Sequence, residues 1–201
     1  MTGALVPLVL ATHNAHKVEE LRQILGARLD GLDLLAYDGP EPVEDGDSFE
    51  ANALIKARAA SAHTGFAAIA DDSGITVAAL GGAPGIHSAR YAGSRDDADN
   101  VRLLVTNLQG ADDRSAEFVC AAALVLPDGR ETVVLGRWPG AVLLEPIGCG
   151  GFGYDPVFRA TGYSVSVAEL HPDEKNSVSH RRRAFEALIP IVRELLLGQP
   201  T

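Results

Sequence analysis

Cysteine is scarce in this chain of 201 residues, which contains only Cys120 and Cys149. Two cysteines are too few for a disulfide scaffold, and they form no Cys-x-x-Cys or Cys/His cluster of the kind that binds zinc. No apolar run is long enough to span a membrane, and the N-terminus lacks the basic segment and long apolar core of a secretion signal. We therefore expect a soluble cytoplasmic protein with no membrane partner.

Positive charge is also in short supply. Lys and Arg together number 17 against 27 Asp and Glu, so the formal net charge is −10. Binding to nucleic acid requires a basic face that replaces phosphate counterions, and this balance argues against it. A small anionic substrate remains compatible if local cations or a divalent metal offset its charge. Lysine is the rarer cation, and each of its three positions lies beside a candidate motif: Lys17, Lys56 and Lys175.

Hydrophobic residues make up 46% of the chain, and the length suits one domain, residues 1–201, with a substantial core. Strands and helices alternate at first and strands then follow one another, which predicts an α/β fold around a mixed sheet. The predicted strands are Val6–Ala11, Leu32–Ala36, Phe66–Ala70, Ile75–Leu80, Ala116–Leu126, Glu131–Arg137 and Ala141–Leu144. The predicted helices are Asn14–Leu29, Asp47–Ala62, Asp96–Leu108 and Asn176–Leu197, the last bent or broken near Pro190.

The first candidate site follows the first predicted strand. Thr12, His13 and Asn14 lie in a strand-to-helix turn, and Lys17 belongs to the first turns of the helix. Free backbone N–H groups and the positive end of the helix dipole favour an anion at such a turn. The alternative is that Asn14 only caps the helix and Lys17 is solvated.

Acidic residues form the second candidate site. Asp71 and Asp72 follow an apolar run, and further acids precede them on a loop and helix start, at Glu44, Asp45, Asp47 and Glu50. Carboxylate oxygens suit Mg²⁺, which takes one or two protein carboxylates together with phosphate oxygens and waters. A metal would lower the cost of the paired charges, and one aspartate could then orient or deprotonate a water. The alternatives are solvation of the loop acids and simple turn chemistry before Ser73-Gly74.

A glycine-rich loop forms the third candidate site, within Gly150–Phe158. Glycines let a backbone approach a flat ligand closely, while Phe152 and Tyr154 offer faces for stacking on a base. A glycine-rich turn whose aromatic side chains enter the core is an equally good interpretation. Asp155 is held extended by the proline that follows it, as a ligand contact or a loop anchor.

Basic residues near the last predicted helix form the fourth candidate site. Lys175, His180 and Arg181 lie near the helix start, on a chain of the opposite net charge. Ser177 or Ser179 could equally be an N-cap, with the arginines on a solvated face.

The order and content of these segments resemble a known family. Four segments are similar to the signature blocks of the Ham1/RdgB-type noncanonical purine nucleoside triphosphate pyrophosphatases, also called inosine triphosphatases. These segments are THNAHKVEEL, DDSGITVAALGGAPGIHSARYAG, GGFGYDPVF and SHRRRAF. The resemblance covers nearly the whole chain. It implies hydrolysis of dITP, ITP and XTP to the monophosphate and pyrophosphate, with Mg²⁺, by a homodimer that cleanses the nucleotide pool. It also implies an elongated α/β fold with a long twisted mixed sheet and an active-site cleft between two lobes.

The same resemblance assigns roles to individual positions. The family's phosphate-binding segment matches Thr12, His13, Asn14, Ala15, His16 and Lys17, although His13 stands where the family commonly has glycine. Its metal-associated acids match Glu44 and Asp72, and Asp72 is also the implied general base. Further substrate contacts match Lys56 and Ser73. The base-binding loop matches Phe152, Gly153, Tyr154 and Asp155, and the last contacts around the base match Lys175, His180 and Arg181.

We therefore expect in-line attack of a water, activated by Asp72, on the α-phosphorus, with Lys17 and Lys56 stabilising charge on the phosphate oxygens. Donors on His180 and Arg181 would favour a 6-oxo purine over adenine. Two rival functions remain: a Maf-like pyrophosphatase acting on other modified or pyrimidine nucleotides, and a non-catalytic nucleotide-binding sensor.

Overall fold

The computed structural model describes residues 5–12 and 21–198. Within them, six strands form one sheet: β1 (Val6–Leu10), β2 (Leu32–Ala36), β3 (Ala67–Val77), β4 (Ser115–Val125), β5 (Glu131–Val142) and β6 (Phe158–Ala160). Their order is β2-β1-β3-β4-β5-β6. Strand β1 pairs in parallel with β2 and β3, whereas β5 and β6 are antiparallel. The predicted α/β fold with a mixed sheet is therefore confirmed.

Helices precede and follow these strands along the chain. They are α1 (Phe49–Thr64), α2 (Asp97–Asn107), α3 (Pro172–Val178) and α4 (His180–Leu197), and residues 21–25 are also helical. Helix α1 begins after Ser48, whose Oγ accepts a hydrogen bond from the Ala51 N–H at 3.2 Å. The sequence predicted a helix beginning at Asp47, two residues before the observed first helical residue, Phe49. No helix in the described part of the chain is both long and apolar enough to cross a membrane.

Strand β3 differs from its prediction. We predicted two strands separated by a turn at the paired aspartates, but Ala67–Val77 is one continuous strand. Successive side chains of a strand point to opposite faces, so Asp71 and Asp72 point away from each other. Repulsion between the two carboxylates is further limited because each meets its own cation, Arg181 for Asp71 and Lys56 for Asp72.

Two helices replace the single helix predicted for Asn176–Leu197. Helix α3 ends at Val178, Ser179 is extended with φ −63° and ψ 161°, and α4 begins at His180. Pro190 lies inside α4 and does not end it. Proline removes one helical hydrogen bond, but its neighbours Leu188, Ile189 and Val192 are buried in the core. Burial of this apolar face offsets the lost bond.

The described chain forms two compact units, each with its own hydrophobic core. Unit I comprises the chain up to Asp72, Cys120–Gly136 and the chain from Arg181 onward, and unit II comprises Ser73–Val119 and Arg137–His180. The core of unit I includes Leu8, Ile69, Leu124 and Phe185. The core of unit II includes Ile75, Phe118, Trp138 and Phe158. A single domain with a cleft between two lobes stays a prediction.

Candidate active site

The Asp72 carboxylate lies in a cluster of polar side chains within unit I, which we call the Lys56 cluster: Glu44, Asn52, Lys56 and Asp72. Lys56 Nζ lies 3.4 Å from Asp72 Oδ1 and 3.3 Å from Glu44 Oε1. Asn52 Nδ2 donates to Asp72 Oδ2 at 3.2 Å. Asn52 and Lys56 are four residues apart on α1 and therefore share one face of that helix. The cluster thus draws on α1, strand β3 and the loop before α1.

Lys56 is a cation held among carboxylates. Its side chain is 12% exposed. Burial lowers the pKa of Lys56, but the negative charges of Asp72, Asp71 and Glu44 raise it, and the net pKa lies above the ordinary value. The ammonium therefore stays protonated at neutral pH and is available to stabilise negative charge on a neighbouring substrate.

The donor set of the Lys56 cluster fits Mg²⁺. Glu44 and Asp72 offer hard carboxylate oxygens, and both lie near the same nitrogen atom, Lys56 Nζ. Within residues 5–12 and 21–198, no group of three or more His, Cys, Asp or Glu side chains is arranged to bind a metal. Mg²⁺ does not need such a group, because it takes one or two protein carboxylates and completes its shell with phosphate oxygens and waters.

On the opposite face of β3, Asp71 is paired with Arg181. Nε and Nη2 of Arg181 both lie 3.3 Å from Asp71 Oδ2. The two side chains are 1% and 0% exposed. The Sγ of Cys120 lies 3.9 Å from the same oxygen. The structure thus places Arg181 against Asp71 in unit I, and its contact with a purine base stays a prediction.

In unit II, three residues form a second group, the Phe152 cluster: Phe152, Asp155 and Lys175. Lys175 Nζ lies 2.6 Å from Asp155 Oδ2, and the backbone N–H of Phe152 donates to the same oxygen at 2.9 Å. Lys175 Nζ also lies 4.3 Å from the centre of the Phe152 ring, which is 43% exposed. A buried carboxylate thus holds a cation and an exposed aromatic ring together, in the combination that suits a flat ligand with acceptor groups.

Tyr154 and Gly153, also in unit II, have different surroundings. The Tyr154 hydroxyl donates to the Ser88 carbonyl at 2.8 Å, and the ring belongs to the core. The alternative interpretation of the loop, that its aromatic residues enter the core, therefore describes Tyr154 but not Phe152. The Gly153 N–H donates to Asp97 Oδ2 at 2.7 Å, so the first turn of α2 anchors the loop.

The other predicted site residues are divided among several elements. The His180 ring stacks on Phe118, with centres 4.9 Å apart and planes inclined by 17°. Ser73 is half-buried and follows Asp72 on β3, and Thr12 is half-buried just after β1. The rest of the predicted phosphate-binding segment lies outside the described residues: His13, Asn14, Ala15, His16 and Lys17.

Sequence reasoning missed Asn52. The available signal was its spacing, because it lies in phase with the buried alanines of α1 and one turn before Lys56. A polar side chain on a buried helical stripe must find hydrogen-bond partners, and here one of those partners is Asp72.

Comparison with known proteins shows the family. A sequence profile of the Ham1 family matches residues 8–191. The chain belongs to the Ham1 family. Relatives resemble this Ham1 protein over nearly their full length. A protein named dITP/XTP pyrophosphatase from Leifsonia xyli subsp. xyli is 55% identical over 194 residues, which cover 95% of this chain and 98% of the relative. A second protein of the same name, from Streptomyces coelicolor, is 50% identical over 196 residues, which cover 94% of this chain and 98% of the relative.

Solved Ham1 structures have the same fold. The Staphylococcus aureus Ham1 protein superposes with a TM-score of 0.86 at 34% identity, covering 94% of this chain and 99% of that one. A HAM1 protein from Coxiella burnetii superposes with a TM-score of 0.85 at 40% identity, covering 94% of this chain and 100% of that one. The α/β fold described above is therefore that of the Ham1 family.

Proposed function

We propose that this Ham1 protein hydrolyses noncanonical purine nucleoside triphosphates, dITP, ITP and XTP, to the monophosphate and pyrophosphate. The observation that carries the proposal is 55% identity, over 95% of the chain, to a protein named dITP/XTP pyrophosphatase. The Lys56 cluster supports it, because a carboxylate that can accept a proton lies beside an ammonium that can stabilise phosphate charge.

Asp72 is the proposed general base. A water attacks the α-phosphorus and transfers a proton to the Asp72 carboxylate as its oxygen bonds to phosphorus. The bond from the α-phosphorus to the bridging oxygen breaks, and pyrophosphate leaves. Lys56 remains protonated throughout and stabilises the charge on the phosphate oxygens. Residues 12–17, which include Lys17, would bind the phosphates.

Mg²⁺ is the proposed cofactor, held by Glu44 and Asp72. When bound, it supplies charge neutralisation to the phosphate oxygens. Lys56 already lies within 3.4 Å of both carboxylates. It therefore limits the repulsion between the two acids before substrate and metal arrive.

Base recognition is assigned to Phe152, Lys175, His180 and Arg181. The exposed face of Phe152 would stack on the purine, and a donor from the basic residues would pair with its 6-oxo group. Adenine carries an amino group at that position and would leave the donor unpaired, which costs binding free energy. We further propose that the enzyme is a homodimer and acts in the cytoplasm on the free nucleotide pool.

A substrate panel tests the proposal. The protein is incubated with Mg²⁺ and, separately, ITP, dITP, XTP, GTP, ATP, CTP and UTP, and the products are identified. We expect turnover of ITP, dITP and XTP with release of pyrophosphate. Release of orthophosphate would refute the cleavage position, and turnover of CTP or UTP alone would favour the Maf-like alternative. Binding of ITP without turnover would favour a sensor. The same panel without Mg²⁺ tests the cofactor.

The variant Asp72→Asn tests the general base. It retains the size of the side chain but removes its ability to accept a proton, so turnover should be abolished while the protein stays folded. Near-normal turnover would remove Asp72 from this role.

A further inference from the structure

Asn52 is a polar residue on a buried stripe of α1. The other buried residues of the helix are Phe49, Ala53, Ala57, Ala60 and Ser61. Asn52 itself is 2% exposed. A buried amide costs free energy unless both its N–H₂ and its carbonyl form hydrogen bonds. An alanine would fit the pattern of this stripe, so the partners of Asn52 indicate what the amide contributes.

Both ends of the amide are satisfied, each by a different segment. Nδ2 donates to Asp72 Oδ2 at 3.2 Å, and Oδ1 accepts from the Gly46 backbone N–H at 2.9 Å. A backbone N–H can only donate, and an ionised carboxylate can only accept. The orientation of the amide is therefore determined, because Oδ1 must face Gly46 and Nδ2 must face Asp72.

The two oxygens of Asp72 are held from one helix face. Asn52 contacts Oδ2, and Lys56, one turn further along α1, contacts Oδ1 at 3.4 Å. Two contacts on separate oxygens restrain the plane of the carboxylate as well as its position. A general base must present a lone pair along the direction of the water that it activates, and a misplacement of about 1 Å can cost 100-fold in rate.

The carbonyl end of Asn52 restrains the loop that carries Glu44. Gly46 lies two residues after Glu44, and a Cβ at Gly46 would lie 2.7 Å from Asn52 Oδ1 and 2.8 Å from the Ala51 Cβ. A glycine is thus needed for the loop to approach α1 this closely. Glu44 in turn contacts Lys56 Nζ at 3.3 Å. One amide therefore joins the acidic loop to the carboxylate on β3.

We propose that Asn52 is a positioning residue that sets the orientation of the Asp72 carboxylate for catalysis, with its amide as donor. The inference rests on the proposed function, because it assigns Asn52 a part in that reaction. It adds a requirement that the function alone does not make: the residue at position 52 must donate toward Asp72 and accept from the loop.

The sharpest test is Asn52→Asp. This substitution keeps the shape of the side chain and the acceptor for the Gly46 N–H, but it replaces the donor to Asp72 with a carboxylate oxygen. Repulsion between the two carboxylates should turn Asp72 away. We expect kcat for ITP to fall about 100-fold with KM changed less than about threefold, because residue 52 does not itself bind the nucleotide. A crystal structure of the variant should show the Asp72 carboxylate rotated.

Asn52→Ala and a matched control separate positioning from folding. The control is Asn100→Ala on α2, where an equally buried asparagine accepts from the Ala92 N–H at 2.7 Å and contacts no site carboxylate. Both alanine variants should lower the free energy of unfolding by similar amounts, since each leaves a backbone N–H without its partner. Only Asn52→Ala should lower kcat, by about 10- to 100-fold, and Asn100→Ala should stay within about twofold of the unaltered protein.

The outcomes distinguish this inference from the function on which it rests. If the unaltered protein does not hydrolyse ITP, dITP or XTP, both are refuted together. If it does, a kcat for Asn52→Asp within twofold of normal overturns the positioning role alone. So does an unrotated Asp72 carboxylate in that variant. If Asn52→Ala fails to fold, the near-isosteric variant Asn52→Asp still tests the positioning role of Asn52.

Discussion

Arg181 and Asp71 form a buried ion pair on the face of β3 opposite Asp72. Nε and Nη2 of Arg181 lie 3.3 Å from Asp71 Oδ2, and the two side chains are 1% and 0% exposed. Withdrawing two charges from water is costly, and their attraction repays this cost only while both partners remain. Asp71, whose role the sequence left open, is therefore assigned to the pairing of Arg181.

Asp71→Asn should destabilise the protein strongly. The substitution keeps the shape of the side chain but removes the negative charge beside a buried guanidinium, so the free energy of unfolding should fall by about 3–5 kcal/mol. Urea denaturation measures this change. The control is Glu131→Gln, which breaks a 2.7 Å pair with Arg58 whose side chains are 53% and 37% exposed and should cost less than about 1 kcal/mol. Equal losses in the two variants would contradict the prediction.

Lys56→Met should abolish most activity. Its ammonium lies 3.4 Å from Asp72 Oδ1, and loss of one preorganised electrostatic contact typically lowers kcat by about 100- to 1000-fold. Lys56→Arg should not restore the rate, since a planar fork does not replace a compact ammonium between two carboxylates. Steady-state kinetics with ITP measures both. Arg58→Met, on the same helix but paired at the surface, is the control and should retain normal kcat; a parallel loss there would point to damage to α1 instead.

Phe152→Leu should weaken substrate binding more than it slows chemistry. Stacking of an aromatic ring on a base contributes about 1–3 kcal/mol, so KM for ITP should rise by roughly 5- to 150-fold with kcat little changed. Phe66 is a matched control, because it is 42% exposed and Phe152 is 43% exposed. Phe66→Leu should leave KM unchanged. If the two variants behave alike, Phe152 does not contact the base.

Tyr154→Phe should change how stability responds to alkaline pH. Burial, together with the charges of Tyr91 and Asp97, raises the pKa of the Tyr154 hydroxyl above its usual value of 10.0. Above pH 10 the unfolded chain releases this proton while the folded chain keeps it, so the unaltered protein loses stability as pH rises. The Tyr154→Phe variant has no hydroxyl at this position, so it does not lose stability in this way as pH rises.

Urea denaturation from pH 8 to pH 11 measures the effect. At pH 8, Tyr154→Phe should be less stable than the unaltered protein by about 1 kcal/mol, because the hydrogen bond to Ser88 is lost. The difference should shrink above pH 10. Lys56, whose pKa is also raised, is present in both proteins and does not affect the comparison. A difference that stays constant across this range would contradict the prediction.

Local patterns in the sequence were sufficient for much of the fold. The predicted β2 bounds are those observed, and the predicted α1 bounds lie within two residues of the observed ones, because apolar spacing and capping depend on near neighbours. The strand break at the paired aspartates was wrong. The cations that offset their charges lie 16 and 110 residues away, on α1 and α4, and no local pattern reveals such pairings.

The candidate site was also only partly predictable. Resemblance to a family proposed Glu44, Lys56 and Asp72, and the structure brings these three together. It likewise proposed Phe152, Asp155 and Lys175, which also meet. Asn52 was missed because the role of an amide within an alanine-rich helix depends on its hydrogen-bond partners. Both partners of the Asn52 side chain belong to other segments of the chain.

Because side chains alternate between the two faces of β3, the number of residues in this strand should be more strictly constrained than their identities. Deleting one residue between Ala67 and Asp71 would shift the strand by one position and exchange its faces, bringing Asp71 toward α1 and Asp72 toward Arg181. Both cations would then meet the wrong aspartate. Conservative substitutions in this segment should be tolerated, whereas insertions or deletions of an odd number of residues should not accumulate among functional descendants of this chain.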